Sequence, residues 1–517
     1  MTIWDKYIGN LTIEQIEVLM ELKKVDPNVG LPFLRDIVFN ISDEIVEEIK
    51  TSEKPYWRLY KEVPDTLPLR SYQTINVAYG FYSKGAILGD AYGLGKTLTA
   101  AGIINLRRNA NKKTKPLILT LKDSLVQVQN ELISATGMNL IATTGEKSVL
   151  TPVLDKLDEC DGLVGTHSLL TSSLFMSEVA LRRCFTDFYL DESSVVKNHK
   201  NEITKNTRAL IQTMDLVIFL NATPIELDIM DLYTQLSLID PKFVPARTTF
   251  ENYVTKKTYK TCIPRKIGYK EKQLAEMRDK LSLRYNGYSR AMLFNYNIAE
   301  HNKIECIFVP CTKRQKQLVK ETGQWSIAYN APYLLDTEMT IDGINIPKLG
   351  RLIELMKELR DKPTFIYCRY KDIQYVIKDL LEVEGFKCGI INGDVQDTNE
   401  RDSIKDAFNQ GDLNCIISNS SKALNLSSGK VCIFYTLETN PQKMKQIEGR
   451  ILRETQPVGR EFYVLVTEKS EETRRMKNQM YREDRSASKV LNLDDGILKT
   501  CVEQILEHEA EIRKARQ

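Results

Sequence analysis

Histidine is scarce in this chain, with four in 517 residues, and its ten cysteines include no Cys-x-x-Cys pair. The closest cysteines are Cys306 and Cys311, and none of His167, His199, His301 or His508 has a second ligand at metal-binding spacing, so no structural zinc is expected. Scattered thiols in so long a chain fit a reducing, cytoplasmic setting rather than a disulfide framework. Long apolar runs are also missing. The longest candidates, such as Leu216-Val217-Ile218-Phe219-Leu220, are strand-sized, far short of the ~20 residues a membrane-spanning helix needs. The opening Met1-Thr2-Ile3-Trp4-Asp5-Lys6 lacks the basic-then-apolar layout of a secretion signal, so neither membrane nor export is expected. Charge of one sign is absent as well: 72 Lys+Arg against 69 Asp+Glu leave a formal +3. Any nucleic-acid contact must therefore come from local patches rather than a global field.

What is present is ordinary globular material, 42% hydrophobic and 27% charged, which excludes a fibrous or mostly disordered chain. The length suits two large domains or three to four small ones. Short apolar, β-branched or aromatic runs recur at residues 86–88, 117–119, 163–164, 188–190 and 216–220, then at 364–368, 389–391, 415–417, 431–435 and 462–466. Helical spacing fills the intervals, and buried strands alternating with helices mark parallel α/β sheets. Two such series read as two α/β domains, expected at 61–240 and 348–485. A lysine- and tyrosine-rich insertion at 241–347, helical from about residue 271 to 283, is expected between them. A helical segment at 1–60 opens on the capping box Thr12-Ile13-Glu14-Gln15. Another at 486–517 carries the stripe Ile497, Cys501, Val502 and Ile505, read as a helix docked on the body.

Three constellations carry chemistry. Gly89-Asp90-Ala91-Tyr92-Gly93-Leu94-Gly95-Lys96-Thr97 follows an apolar strand and opens a helical stretch. Backbone N–H groups of such a loop and the helix N-terminus make a cradle for phosphates; Lys96 would reach the β- and γ-phosphates of ATP and the Thr97 hydroxyl would bind Mg²⁺. Asp191-Glu192 end the apolar run Phe188-Tyr189-Leu190. A carboxylate near Mg²⁺ and one that activates the attacking water are what phosphoryl transfer requires, roles that suit Asp191 and Glu192 in turn. Gln446, Arg450 and Arg453 are spaced four and three apart, so a helix would set them on one face, with the two arginines as an anion clamp.

Taken in order, these segments resemble the SWI/SNF-type ATPases of helicase superfamily two, from about residue 67 to 472. Leu69-Arg70-Ser71-Tyr72-Gln73 resembles the adenine-reading segment, with Gln73 the implied base contact and Arg70 beside it. Residues 88–97 resemble motif I, in which Asp90 stands where a phosphate loop usually has its first glycine, with Gly93 and Gly95 behind it. Residues 116–125 are a loose motif Ia, and Asp191-Glu192 with Lys197-Asn198 resemble motif II. Asn221-Ala222-Thr223-Pro224-Ile225 resembles motif III, Asn392-Gly393-Asp394 with Arg401 and Phe408 a middle segment, and residues 446–453, including Gly449, with Gln456 motif VI. The resemblance implies two RecA-like domains with ATP between them, Mg²⁺ on Thr97 and Asp191, and catalysis by Lys96, Asp191, Glu192, Arg450 and Arg453. It also implies coupling to nucleic acid through Thr223 and through Ser420, Ser421, Lys422 and Asn425.

The chain departs from the family pattern at three places, the first being motif Ia, which lacks the family's usual proline and tryptophan. Motif II usually reads Asp-Glu-Ala-His and here is Asp191-Glu192-Ser193-Ser194; motif V is usually glycine-rich and here is Ser420-Ser421-Lys422-Ala423 before Leu424-Asn425-Leu426. Basic clusters at residues 107–115, 256–272 and 474–485 are candidate phosphate contacts, the first two expected on surfaces facing the cleft. The resulting expectation is a DNA-dependent ATPase that moves along double-stranded DNA and remodels DNA structures or bound proteins. Alternatives are a remodeller of a nucleic-acid-bound complex such as RNA polymerase, docked through the terminal segments, and a nucleotide-switched DNA-binding regulator. A DNA-associated location is implied, and the lack of a visible reader domain points to a bacterial or viral protein.

Overall fold

The computed structural model describes residues 67–514, apart from positions 84, 226–227, 259–264, 282–283, 291–297, 396, 421–423, 425, 439, 453–457 and 486–495. The expected helix at 1–60 lies outside the described residues, as do Ser421, Lys422, Asn425, Arg453 and Gln456. The chain forms two compact units that part between residues 295 and 296.

In the first unit the strands are β1 (Gly85–Leu88), β2 (Pro116–Thr120), β3 (Leu140–Thr143), β4 (Gly162–Thr166), β5 (Asp187–Asp191), β6 (Leu216–Leu220), the hairpin β7 (Thr255–Thr258) and β8 (Arg265–Tyr269), and β9 (Tyr285–Asn286). Seven of them form a parallel sheet in the order β3-β4-β2-β5-β6-β1-β9. Period-two geometry sends alternate side chains to opposite faces. Ile87, Leu117, Leu119, Phe188, Leu190, Val217 and Phe219 enter one core. Ala86, Leu88, Ile118, Tyr189, Leu216, Ile218 and Leu220 enter the other. Both faces are covered, which is why these strands read as unbroken apolar runs.

The second unit repeats the scheme with β10 (Lys303–Val309), β11 (Thr364–Tyr367), β12 (Cys388–Ile391), β13 (Cys415–Ser418), β14 (Val431–Phe434) and β15 (Glu461–Thr467). They form a parallel sheet in the order β10-β15-β14-β11-β13-β12, again with a core on each face. The two α/β series of the sequence are thus two parallel sheets clad by helices. Among the described residues, no helix is long and apolar enough to cross a membrane.

The stretch 241–347 is not one insertion. It is shared out: β9 completes the first sheet and β10 the second. Its lysine-rich composition reports surface character, whereas an edge strand is defined by backbone pairing that composition does not record. The expected helix near 271–283 is present as Glu271–Leu281. The terminal helix Leu498–Lys514 belongs to the second unit, with Leu498, Cys501, Val502 and Ile505 in its core. There Gln504 finishes the open edge of β10, its Nε2 donating to Ile304 O at 2.8 Å and its Oε1 accepting from Cys306 N at 2.7 Å. An unpaired strand edge is capped by a side-chain amide.

Candidate functional site

Strands β5, β6 and β1 are neighbours, so the segments leaving their carboxyl ends emerge side by side. Two strand spacings, ~10 Å, separate β1 from β5. This brings residues about a hundred positions apart to one edge of the sheet, where ligands of open α/β sheets bind.

The loop 89–95 leaves β1 and leads into the helix Lys96–Asn109, whose N-cap Gly95 is left-handed at φ 76°, ψ 41°. The conformation favours glycine, and a Cβ there would lie 2.5 Å from Gln73 Nε2, so that side chain would have to shift. The arrangement leaves the first N–H groups of a 14-residue helix without intrahelical partners, which together with the helix dipole suits an anion. Lys96 Nζ donates to Asp90 O at 3.0 Å and lies 5.2 Å from the centre of the Tyr92 ring. Thr97 is the second residue of the helix, half-buried.

The Asp90 carboxyl faces Asn76 and the main chain of Tyr288. It is wholly buried, accepts from Asn76 Nδ2 at 2.9 Å on both oxygens and from Tyr288 N at 3.2 Å. Burial pushes its carboxyl up to about 6, opposed by the Lys96 charge and these hydrogen bonds. In this geometry the carboxyl is a tether for the loop. Residues 286–288 complete the tether: Gly89 N donates to Asn286 O, Ala91 N to Tyr288 O, and Asn286 Nδ2 to Asn76 Oδ1 at 2.7 Å. Gln73 is likewise committed to protein, with Oε1 accepting from Arg70 N at 2.9 Å and Nε2 donating to Leu94 O at 3.0 Å. Arg70 itself is exposed.

Asp191 closes β5, with Oδ2 accepting from Thr120 Oγ1 at 2.9 Å and its carbonyl 2.8 Å from His167 Nε2. Thr120 and His167 escaped the sequence reading; their positions, the last residue of β2 beside β5 and the residue just past β4, were the available signal. Glu192 follows in a left-handed conformation, φ 49°, ψ 52°. For a residue with a Cβ this costs about 1–2 kcal/mol, a strain that persists at functional sites when neighbours enforce it. Leaving β6, Thr223 is buried, with its N–H on Asn221 Oδ1 and its hydroxyl 3.2 Å from Tyr92 OH in the loop after β1.

In the second unit the helix Pro441–Glu448 ends two residues before Arg450. Arg450 is buried and folds onto its own unit, Nε on Gln446 O at 2.9 Å and Nη1 on Leu424 O at 3.4 Å. Gln446 Oε1 is buried with no partner among the described residues. Gly449 is buried in the same turn, its N–H on Lys445 O. Ser420 follows β13, its N–H on Ser418 Oγ at 3.0 Å.

The basic clusters fare differently. Arg107 is buried against Asp187 at 2.8 Å, and Arg108 donates to Thr136 O. They sit at the far end of the helix that begins at Lys96, beside the start of β5, at the end of the sheet opposite the loop. The reason is local: cations in the last turn satisfy the helix C-terminus. In the 256–272 cluster, Lys257 and Lys270 donate to Asn252 beside the β7–β8 hairpin. Of the third cluster, Arg474 and Arg475 pair with Glu471, and Lys477 with Glu509 at 2.8 Å.

Comparison with known proteins gives this arrangement its class. The SNF2-related domain matches residues 13–337 and the helicase conserved C-terminal domain matches residues 347–455. The chain therefore belongs to the SNF2-related family. Among curated relatives, a mouse SWI/SNF-related regulator of chromatin, subfamily A member 1, is 23% identical over 79% of this chain and 42% of its own length. The uncharacterized ATP-dependent helicase YqhH of Bacillus subtilis is 22% identical over 90% of this chain and 91% of its own. The chain thus spans less than half of the mouse relative and nearly all of the bacterial one. Among solved structures, the Sulfolobus solfataricus SWI2/SNF2 ATPase core in complex with dsDNA is similar at 18% identity and a TM-score of 0.40, covering 86% of this chain and 96% of that one.

Proposed function

We propose that the chain is an ATP-hydrolysing motor that moves along double-stranded DNA and remodels DNA structures or proteins bound to them. The observation that carries the reading is the convergence of the loop 89–95, Asp191-Glu192 and Thr223 at the carboxyl ends of three adjacent parallel strands. Gly95 and the opening of the helix Lys96–Asn109 fit a polyphosphate, and Lys96 sits where its ammonium can leave the Asp90 carbonyl for one. The Thr97 hydroxyl and the Asp191 carboxylate are hard oxygen donors of the kind Mg²⁺ takes, and when bound the ion would screen phosphate charge. Glu192 is the group that orients the attacking water. Arg450, with Arg453, supplies cations for charge on the transferred phosphate. Membership of an SNF2-related family and the relatives' names support ATP use; duplex DNA as the track is the finer part of the proposal. The apolar stripe of the terminal helix is already covered by its own unit, so it does not favour docking of a protein partner there.

The test is ATP hydrolysis by the full chain with Mg²⁺, with and without duplex DNA. Lys96→Ala and Glu192→Gln are each expected to lower DNA-stimulated kcat on the order of a hundredfold or more. Equal, negligible turnover with and without any nucleic acid would refute the reading.

A further inference from the structure

Glu192 holds a left-handed backbone, and its own side chain makes no capping hydrogen bond to the turn that follows. The neighbouring residue supplies the restraint. Ser193, wholly buried at the start of the turn Ser193–Val196, donates through Oγ to Gln235 Oε1 at 2.6 Å. Gln235, wholly buried in the helix Ile229–Ile239, donates through Nε2 to Pro224 O at 2.7 Å and to Asp231 O at 3.0 Å. Every polar atom of this amide is engaged, as a buried polar group must be if it is to order its surroundings rather than destabilise them. Pro224 follows Thr223, whose hydroxyl meets Tyr92 OH in the loop after β1. One chain of contacts thus runs from the backbone of Glu192 through two buried side chains to the turn after β6, and on to the phosphate loop.

We propose that Ser193 and Gln235 are positioning residues: a buried relay that fixes the main chain of Glu192 and ties its placement to the 221–224 turn. This rests on the reading of Glu192 as the water-orienting carboxylate. The family usually carries alanine where Ser193 stands, and alanine has no hydroxyl to donate, so the relay is a property of this chain rather than of the motif. It acts on hydrolysis and not on nucleotide affinity, because neither side chain reaches the phosphate loop except through Thr223 and Tyr92. A displacement of Glu192 by a fraction of its reach is enough to misplace the water it orients.

Steady-state ATPase assays with saturating duplex DNA, paired with thermal midpoints, test this on the wild type, Ser193→Ala, Gln235→Leu and the double variant. Each single change is expected to lower kcat roughly tenfold to a hundredfold with KM for ATP held within about twofold. The double variant is expected to be no slower than the worse single one. Its midpoint should lie above that of Gln235→Leu, because the Ser193 hydroxyl left without its acceptor is then removed, with Pro224 O unpaired in both, while kcat stays low. A kcat that recovers together with the midpoint would show a packing role only and overturn the proposal, as would wild-type kcat in all three. Full turnover in Glu192→Gln would instead overturn the underlying reading of Glu192, and needs no change at Ser193 or Gln235.

Discussion

Asp90→Asn isolates the tether of the phosphate loop through its pH dependence. The carboxyl is wholly buried and its pKa is raised to about 6 by loss of solvent, against an ordinary value of 3.8 for an aspartate. A folded-state pKa above the unfolded one means that, between those values, the native protein holds a proton the unfolded chain has released. Stability must therefore fall as pH rises through this window, and level off above about 6. From about pH 4.5 to about pH 7.5 the linkage amounts to about 2 kcal/mol, at 1.36 kcal/mol per tenfold change in proton activity. Asp187, also raised to about 6 by burial and opposed by Arg107, adds a slope of the same sign, so a single protein does not isolate Asp90. The difference between wild type and Asp90→Asn does, because Asp187 is common to both. Urea unfolding at a series of pH values is the assay. The variant is expected to gain on the wild type by about 2 kcal/mol over that range, whatever the offset from its altered contacts with Asn76 and the Tyr288 amide. A difference that stays constant within about 0.5 kcal/mol would refute the buried, proton-retaining carboxyl.

Two further outcomes follow from named contacts. Gly95→Ala places a Cβ on a φ of 76° and against Gln73 Nε2, so it is expected to cost about 2–3 kcal/mol from the left-handed penalty and the displaced amide, and to weaken binding of a fluorescent ATP analogue by tenfold or more; unchanged affinity would count against the cradle. In the second unit Lys348 and Glu472 form a buried pair at 2.7 Å, braced by Asn330 Oδ1 on the lysine and Thr467 N on the carboxylate. Burial draws the Lys348 pKa down and Glu472 draws it back. Lys348→Ala strands the carboxylate and should cost about 3–5 kcal/mol in denaturant unfolding, most of it recovered in Lys348→Met/Glu472→Leu; a cost below about 1 kcal/mol would show the pair to be solvated.

How much was legible beforehand depended on where each element's stabilisation resides. The strands β1, β2, β4, β5, β6, β11, β13, β14 and β15, and the buried edge strand β12, were visible, because a strand covered on both faces must be apolar at every position. The edge strands β3, β9 and β10 were not. β10 reads Lys-Ile-Glu-Cys-Ile-Phe-Val, with charged residues on its exposed positions, and β9 is two residues that count as a strand only through pairing with β1. The loop 89–95, the Asp191-Glu192 pair and the Gln446–Arg450 spacing were legible because phosphate chemistry calls for particular residue types at short range. The tether made by the Asp90 carboxyl was not legible, because its partners Asn76 and Tyr288 lie 14 and 198 positions away in the chain.

The sequence by itself determined the fold class, the alternation of buried strands with helices, the phosphate loop and the family. These are local properties, written in period, composition and motif spacing. Tertiary structure alone decided that β5, β6 and β1 are adjacent, that 241–347 is divided between two sheets, that Arg107 serves the back edge of its sheet, and that Ser193 meets Gln235. Each is a contact between residues distant in the chain, and the order in which parallel strands pair is set by packing of the whole sheet, which no segment encodes by itself.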